Sequence, residues 1–284
     1  MKILITGAGG QLGQEFIRNS TLAMETGTED MSFIPLTRRE LDITDADSVE
    51  RAFEKYRPDA VINCAAMTNV DMCENEPEKA MRINAEGAAN VCRSAEKAGA
   101  VFVQLSTDFV FDGKAKQPYN ENDSCSPVNV YGKSKLMSEE LVRGITPSHI
   151  IIRTAWLYGR YGKSFVTAIM NKGGDNGEIR VVNDQYGCPT CTEELAKYIL
   201  LLLKNGHFGT FHVCGRGVCT KYEFAKHIAE KGGFGSRVVP CATADYPSPA
   251  ARPVYSAIDI SKASAAAGYT SDCWQQVYDS YYSI

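Results

Sequence analysis

Lys2-Ile3-Leu4-Ile5-Thr6-Gly7-Ala8-Gly9-Gly10-Gln11-Leu12-Gly13 is the stretch that decides the fold. Lys2 to Thr6 is short and apolar and reads as a strand. Gln14 to Asn19 reads as helix. Between them, glycines at 7, 10 and 13 form Gly-x-x-Gly-x-x-Gly. Such a turn lets backbone approach a pyrophosphate closely and points a helix N-terminus at it. An ordinary tight turn is the weaker reading, because the motif stands at the first strand-to-helix junction of the chain.

Working outward, Ser32 to Leu36 reads as a second strand. A free ribose 2′-hydroxyl favours an acidic residue at such a strand's end, but the chain offers Thr37-Arg38-Arg39. Arg38 can pair with a 2′-phosphate, so NADPH is favoured and NADH stays open; two solvated arginines are the alternative. A helix is expected from about Asp47 to Tyr56, capped by Asp45 or Asp47. Ala60 to Ala66 reads as a third strand whose small last residues, Ala65 and Ala66, leave room for a flat ligand; tight packing explains them equally well. Pro77 to Ala98 reads as one long helix ended by Gly99. Ala100 to Leu105 is a fourth strand, with Thr107 at or just past its end, and Ile150 to Arg153 a fifth.

This alternation predicts an α/β fold: a Rossmann-type, doubly wound parallel sheet with a ligand crevice at the strands' C-terminal ends. The glycine turn, Ala65-Ala66, Thr107 and Trp156 all fall on that edge. Beyond Gly159 the rhythm loosens. Helices are expected at Phe165 to Met170, Thr192 to Leu203, Thr220 to Lys231 and from near Asp259 or Ser261. Strands are expected at Ile179 to Val182 and Gly209 to Cys214, and a loop at Lys172 to Gly177. Residues 1–158 are expected to form the dinucleotide-binding domain. Residues 159–284 should be mostly a smaller substrate-binding lobe, with segments returning to the first domain.

Tyr131 and Lys135 lie four apart in a helical pattern that follows Pro127, so they share a face. An ammonium favours the phenolate, which makes Tyr131 a candidate proton donor or acceptor. Thr107 would aim a substrate oxygen at it. By itself such a pair is more often a solvated helix face; the glycine turn at the other end of the chain raises its weight.

Composition excludes several classes. The 284 residues are 44% hydrophobic with net charge −4 and no basic run, so nucleic acid is not an expected partner. The longest greasy run, Tyr198 to Leu203, is too short to span a bilayer, and the N-terminus lacks a signal-peptide core, so a cytoplasmic protein is expected. Ten cysteines include one Cys188-x-x-Cys191 pair without a second pair or nearby histidines, which favours reduced thiols over a metal site.

Further motifs carry a resemblance. Ala66-Met67-Thr68-Asn69-Val70-Asp71, Ser106-Thr107-Asp108-Phe109-Val110-Phe111, Arg153-Thr154-Ala155-Trp156, Asn183 to Thr190 and Ala251-Arg252-Pro253 stand in order along nearly the whole chain. Together with the glycine turn and Tyr131-x-x-x-Lys135, the chain resembles the dTDP-4-dehydrorhamnose reductase family of the extended short-chain dehydrogenase/reductases. The resemblance implies reduction of a dTDP-sugar C4 ketone with NADPH for polysaccharide synthesis. Tyr131 would be proton donor, Lys135 would hold the nicotinamide ribose and lower the Tyr131 pKa, and Thr107 would orient the carbonyl. Gly7, Gly10, Gln11, Leu12 and Gly13 would carry the pyrophosphate, Asp42 and Ile43 would lie by the adenine, and Ala65, Ala66 and Thr68 along the cofactor. Val70, Asp108 and Trp156 would touch substrate, and Arg252 a nucleotide diphosphate, against a core aromatic or a structural ion pair as the plainer roles of the last two. Some family members bind magnesium through glutamates at a dimer contact. Glu15 and Glu193 match two such positions, but Lys197 stands where another carboxylate would help, so no metal is assigned and a monomer or homodimer is expected. Two other readings stay open: another nucleotide-sugar reductase or epimerase, and a non-catalytic, cofactor-binding regulatory subunit.

Overall fold

The computed structural model describes residues 1–174 and 177–283. Its centre is a six-stranded sheet built from β1 (Lys2–Thr6), β2 (Ser32–Leu36), β3 (Ala60–Asn63), β4 (Val101–Thr107), β5 (His149–Thr154) and β6 (Gly209–His212). The order is β6-β5-β4-β3-β1-β2, and every pairing is parallel. Strand residues alternate between two buried faces, so the strands read as continuous apolar runs. Ile3, Ile5, Ile62, Val103, Ile150 and Ile152 pack against α1 (Gln11–Arg18) and residues of Thr192–Lys204. Leu4, Val61, Phe102 and Ile151 pack on the other face against α2 (Ala46–Tyr56), α3 (Ala88–Ala98) and Val142 of α4 (Val130–Ile145).

After β5 the chain builds α5 (Phe165–Lys172), α6 (Thr192–Lys204), α7 (Lys221–Lys231), α8 (Ser261–Ala267) and α9 (Trp274–Tyr282). Of these, α6 and α8 lie on the sheet, whereas Val166, Ile169, Phe224, Ile228, Trp274 and Tyr278 share a separate core with Tyr158.

Several boundaries differ from expectation, each for a local reason. The first helix begins at Gln11, because the backbone after Gly10 is already helical and Gly13 tolerates it. The third strand stops at Asn63, where the side chain turns to bond its neighbours, and β4 runs on to Thr107 itself. The Pro77 to Ala98 helix is continuous but contains a π-helical stretch, Arg82–Gly87. β6 ends at His212, not Cys214. Lys172 closes α5, and Asp175 and Asn176 of the expected loop lie outside the described residues. The helices Leu22–Thr26, Val70–Asn75 and α9 were not expected. No helix among the described residues is long and apolar enough to cross a membrane.

Candidate active site

The strands' C-terminal ends are locked by a buried polar ladder. Thr6 Oγ1 donates to Asn63 Oδ1 at 2.6 Å, and Asn63 Nδ2 donates to Gln104 Oε1 at 2.8 Å. Gly7, at φ +62, presses on the chain beyond β3: a Cβ there would stand 2.7 Å from Ala65 N. A Cβ on Gly13 would stand 2.6 Å from Ala8 Cα, which is how the first turn of α1 comes so close to the loop. Gly10 caps α1 without a side chain, and no acidic residue occupies its first turn. Its amides therefore face outward as an uncompensated positive end.

The segment after β3 is gripped from α4's side. Asn84, within the π stretch, accepts from Met67 N (2.7 Å) and donates to Met67 O (3.0 Å) and Ser134 Oγ (2.9 Å). π segments often mark functional places, because one extra residue re-aims a side chain. α4 starts at Asn129, whose side chain accepts from Gly132 N at 2.8 Å. It is anchored below by Glu139, fully buried, which takes two bonds from Arg153 (2.9 and 2.8 Å), one from Ser106 Oγ (2.5 Å) and one from Arg143 (2.7 Å).

A cleft of about 450 Å³ opens between these elements. Gly10, Gln11, Leu12 and Gly13 form one wall, and Ala66, Thr68 and Val70 another. Thr107, Asp108, Tyr131, Lys135 and Trp156 line the rest. Gly7 and Ala65 shape the turn beneath without lining the cleft. Arg38, Asp42, Ile43 and Arg252 do not line it. Arg38 is exposed past β2 and lies 3.6 Å from Asp42, whose carboxylate accepts from Thr44. Ile43 is buried against Gly87. Arg252 is engaged by Asp71 at 3.0 Å and the Ala250 carbonyl at 2.8 Å, the structural ion pair named above as its plainer role. Lys163 and Ser164 also line the cleft and were not singled out from sequence. Gln11 Nε2 donates across to Lys163 O at 3.0 Å, tying that loop to the glycine turn. The only sequence signal for Lys163 was a cation in a loop, which pattern alone does not distinguish from a solvated one.

Electrostatics corrects one expectation. Tyr131 has part of its surface in the cleft, yet desolvation raises its pKa, with the Thr107 hydroxyl acting the other way. The phenol therefore holds its proton at neutral pH. Lys135 is buried, and desolvation lowers it to about 8, opposed by Glu139, so it is mostly charged at pH 7. Thr107 Oγ1 donates to Asp108 Oδ1 at 2.9 Å, and Asp108 Oδ2 is buried without a well-formed hydrogen bond. Burial pushes the Asp108 carboxyl up to about 6, opposed by the hydroxyls of Ser256 and Thr107 and the charge of Lys221.

Glu15 and Glu193 do not converge on a shared site. Glu15 is buried and accepts from Thr192 (2.7 Å), Tyr281 (2.8 Å) and Asn19 (3.1 Å). Glu193 pairs with Lys197 at 2.9 Å, which also reaches Glu25 at 2.8 Å. Among the described residues no His, Cys, Asp or Glu cluster has metal-holding geometry.

The cleft does fit a dinucleotide. An uncapped helix end meets a close-packed glycine cradle, and Gln11 Oε1 is buried at the turn with no hydrogen-bond partner among the described residues.

Comparison with known proteins adds three findings. Residues 1–283 match the family model described as the RmlD substrate binding domain. The chain is 40% identical over 280 residues to the spore coat polysaccharide biosynthesis protein SpsK of Bacillus subtilis (strain 168), covering 99% of this chain and 96% of that one. A solved structure, described as dTDP-4-dehydrorhamnose reductase from Bacillus anthracis in complex with NADP, superposes with a TM-score of 0.92 at 36% identity, covering 99% of this chain and 98% of that one.

Proposed function

Because this chain belongs to the RmlD substrate binding domain family, we propose that it reduces the C4 ketone of dTDP-4-dehydro-6-deoxy-L-mannose with NADPH. The product is dTDP-L-rhamnose, a precursor for cell-surface polysaccharide. The observation that carries the reading is the convergence of a protonated phenol, a buried ammonium and a threonine hydroxyl in one cleft beside the glycine turn.

Gly10, Gln11, Leu12 and the N-terminal amides of α1 would hold the pyrophosphate, and Lys135 the nicotinamide ribose. Arg38, at the exposed end of β2, would meet the 2′-phosphate. When bound, NADPH supplies the hydride. Thr107 orients the sugar carbonyl, and the Tyr131 phenol gives its proton to O4 as negative charge builds there. The raised Tyr131 pKa suits this direction, since a donor must hold its proton until the transfer. As the phenolate forms, the Lys135 charge stabilises it. Val70, Asp108 and Trp156 flank the sugar. Holding ketone, hydride donor and proton donor together supplies much of the rate. We divide the chain at residue 158, with residues 159–284 contributing mostly a smaller lobe over the sugar nucleotide and returning β6, α6 and α8 to the sheet.

The test is NADPH consumption with enzymatically prepared dTDP-4-dehydro-L-rhamnose, NADH run in parallel. Tyr131→Phe is expected to fold, bind NADPH with near-native affinity and lose at least about a hundredfold in kcat. A variant that keeps near-full rate sinks the Tyr131 assignment. Wild-type protein that binds NADPH but oxidises none sinks the substrate assignment.

A further inference from the structure

Lys221, the first residue of α7, is placed unusually for a lysine. Its Nζ lies 3.5 Å from the Trp156 ring centroid and 4.8 Å from that of Phe165. Among the described residues it forms no salt bridge. Its backbone N–H is used by the Gln185 carbonyl, which fixes the start of α7. Trp156 itself is strained, at φ +46, a conformation a bulky residue rarely adopts. The edge of its indole presses on Gly187, where a Cβ would stand 2.5 Å from the ring. The pocket-facing indole is thus set in a slot with Gly187 at one edge and the Lys221 ammonium over the ring. Phe165, the second ring beside that ammonium, directly follows Ser164, which lines the same cleft.

We propose that Lys221 is a positioning residue for the sugar nucleotide: its ammonium, held between Trp156 and Phe165, braces the indole that walls the substrate cleft. A cation over an indole is the strongest of these aromatic contacts, and it gains when water is excluded. The contact helps hold Trp156 in its strained backbone conformation. The inference rests on the reductase reading of the cleft.

The brace is also titratable. Desolvation lowers Lys221 to about 7; Asp108 and Cys219 oppose this, and Arg252 adds to it. The ammonium is present below that value and lost as pH rises through it. The contact with Trp156 should weaken over the same window.

Two readouts test this. The first needs no substrate: intrinsic fluorescence is titrated with pH in wild type and in Lys221→Met, and one curve is subtracted from the other. The subtraction cancels the second tryptophan, Trp274, which lies 5.2 Å from His227. A difference in emission between the two proteins is expected, with a transition near pH 7 in the difference curve; superimposable emission at every pH overturns the brace. The second is kinetic. Lys221→Met should raise KM for the sugar nucleotide roughly tenfold with a smaller change in kcat and unchanged NADPH affinity, and Lys221→Arg should recover most of it. Equal losses in KM and NADPH affinity, or no rescue by arginine, mean a general structural role and overturn the proposal. Absence of any wild-type turnover would instead count against the reductase reading, while the fluorescence result still decides the brace.

Discussion

Asp108 differs from an ordinary surface carboxylate in one decisive way: burial moves its titration into the range where enzymes are assayed. Above about pH 6 it is ionised and accepts from the Thr107 hydroxyl. The one hydroxyl proton of Thr107 is then committed to that carboxylate, while Thr107 Oγ1 accepts from Phe109 N at 3.2 Å, which holds the loop. Below about pH 6 the carboxyl gains a proton and becomes a donor, which frees the Thr107 hydroxyl to donate to the ketone oxygen it would orient. The sign follows: kcat/KM should rise as pH drops through about 6. Asp108→Asn, which cannot titrate, should show no such rise. An unchanged rise in the variant would assign it to another group. Of the residues lining the cleft, Tyr131 and Lys135 were legible in sequence as one helix face from their spacing, and Thr107 from its place at a strand's end. The shift of Asp108 was not, because it arises from burial in the folded chain, opposed by Ser256 and Lys221, which lie far away in the sequence.

Elements act here through how they are anchored. α4 carries Tyr131 and Lys135 on one face, and Glu139 one turn further on ties that face to the sheet. A buried carboxylate sharing bidentate bonds with a buried guanidinium is a poor source of net stability but costly to break. Glu139→Ala would leave Arg153, 3% exposed, with its charge unpaired except for weak contacts to Cys125 and His212. A loss of about 3–5 kcal/mol in unfolding free energy is expected by urea titration. Replacing both partners together, Glu139→Leu with Arg153→Met, should recover most of it, since the desolvation penalty goes with the pair. A single-variant loss under about 1 kcal/mol would mean that water or a neighbour substitutes for the carboxylate.

At this scale the sequence was informative wherever one periodicity ran uninterrupted. The strands and α2, α4, α6 and α7 lie where alternation and capping residues such as Asp45, Asn129 and Thr220 put them. The π stretch was not legible, because Ile83, Asn84, Gly87 and Ala88 fit a helical stripe whether or not one residue is looped out. α9 was missed because its buried face is Trp274, Val277, Tyr278 and Tyr281, spaced as a helix but diluted by glutamine, serine and aspartate.

Across the whole molecule, the two ends of the chain meet at one carboxylate. Glu15 sits in α1 directly behind the glycine turn, 2% exposed. It is held by Thr192 at the start of α6 and by the Tyr281 hydroxyl in α9, 266 residues away in sequence. The same hydroxyl accepts from Arg160 N at 2.9 Å, at the point where the chain leaves β5 for the lobe. This single phenol therefore satisfies groups on the nucleotide-binding side and on the lobe at once. Removing it takes the acceptor from the Arg160 N–H and leaves the buried Glu15 Oε2 with Thr192 as its remaining donor, so Tyr281→Phe should cost about 1–3 kcal/mol despite the loss of only one atom. Tyr282→Phe is the fitting control, since its hydroxyl serves only the neutral Gly159 carbonyl at 3.1 Å and should cost less. Denaturant unfolding followed by both far-UV circular dichroism and tryptophan fluorescence decides what the node does. If it joins the two parts, the wild type unfolds in one transition by both probes, and Tyr281→Phe lowers the midpoint while the probes stay together or begin to separate. If the wild-type probes already disagree, the lobe and the nucleotide-binding sheet unfold independently, and Glu15 is only a local contact.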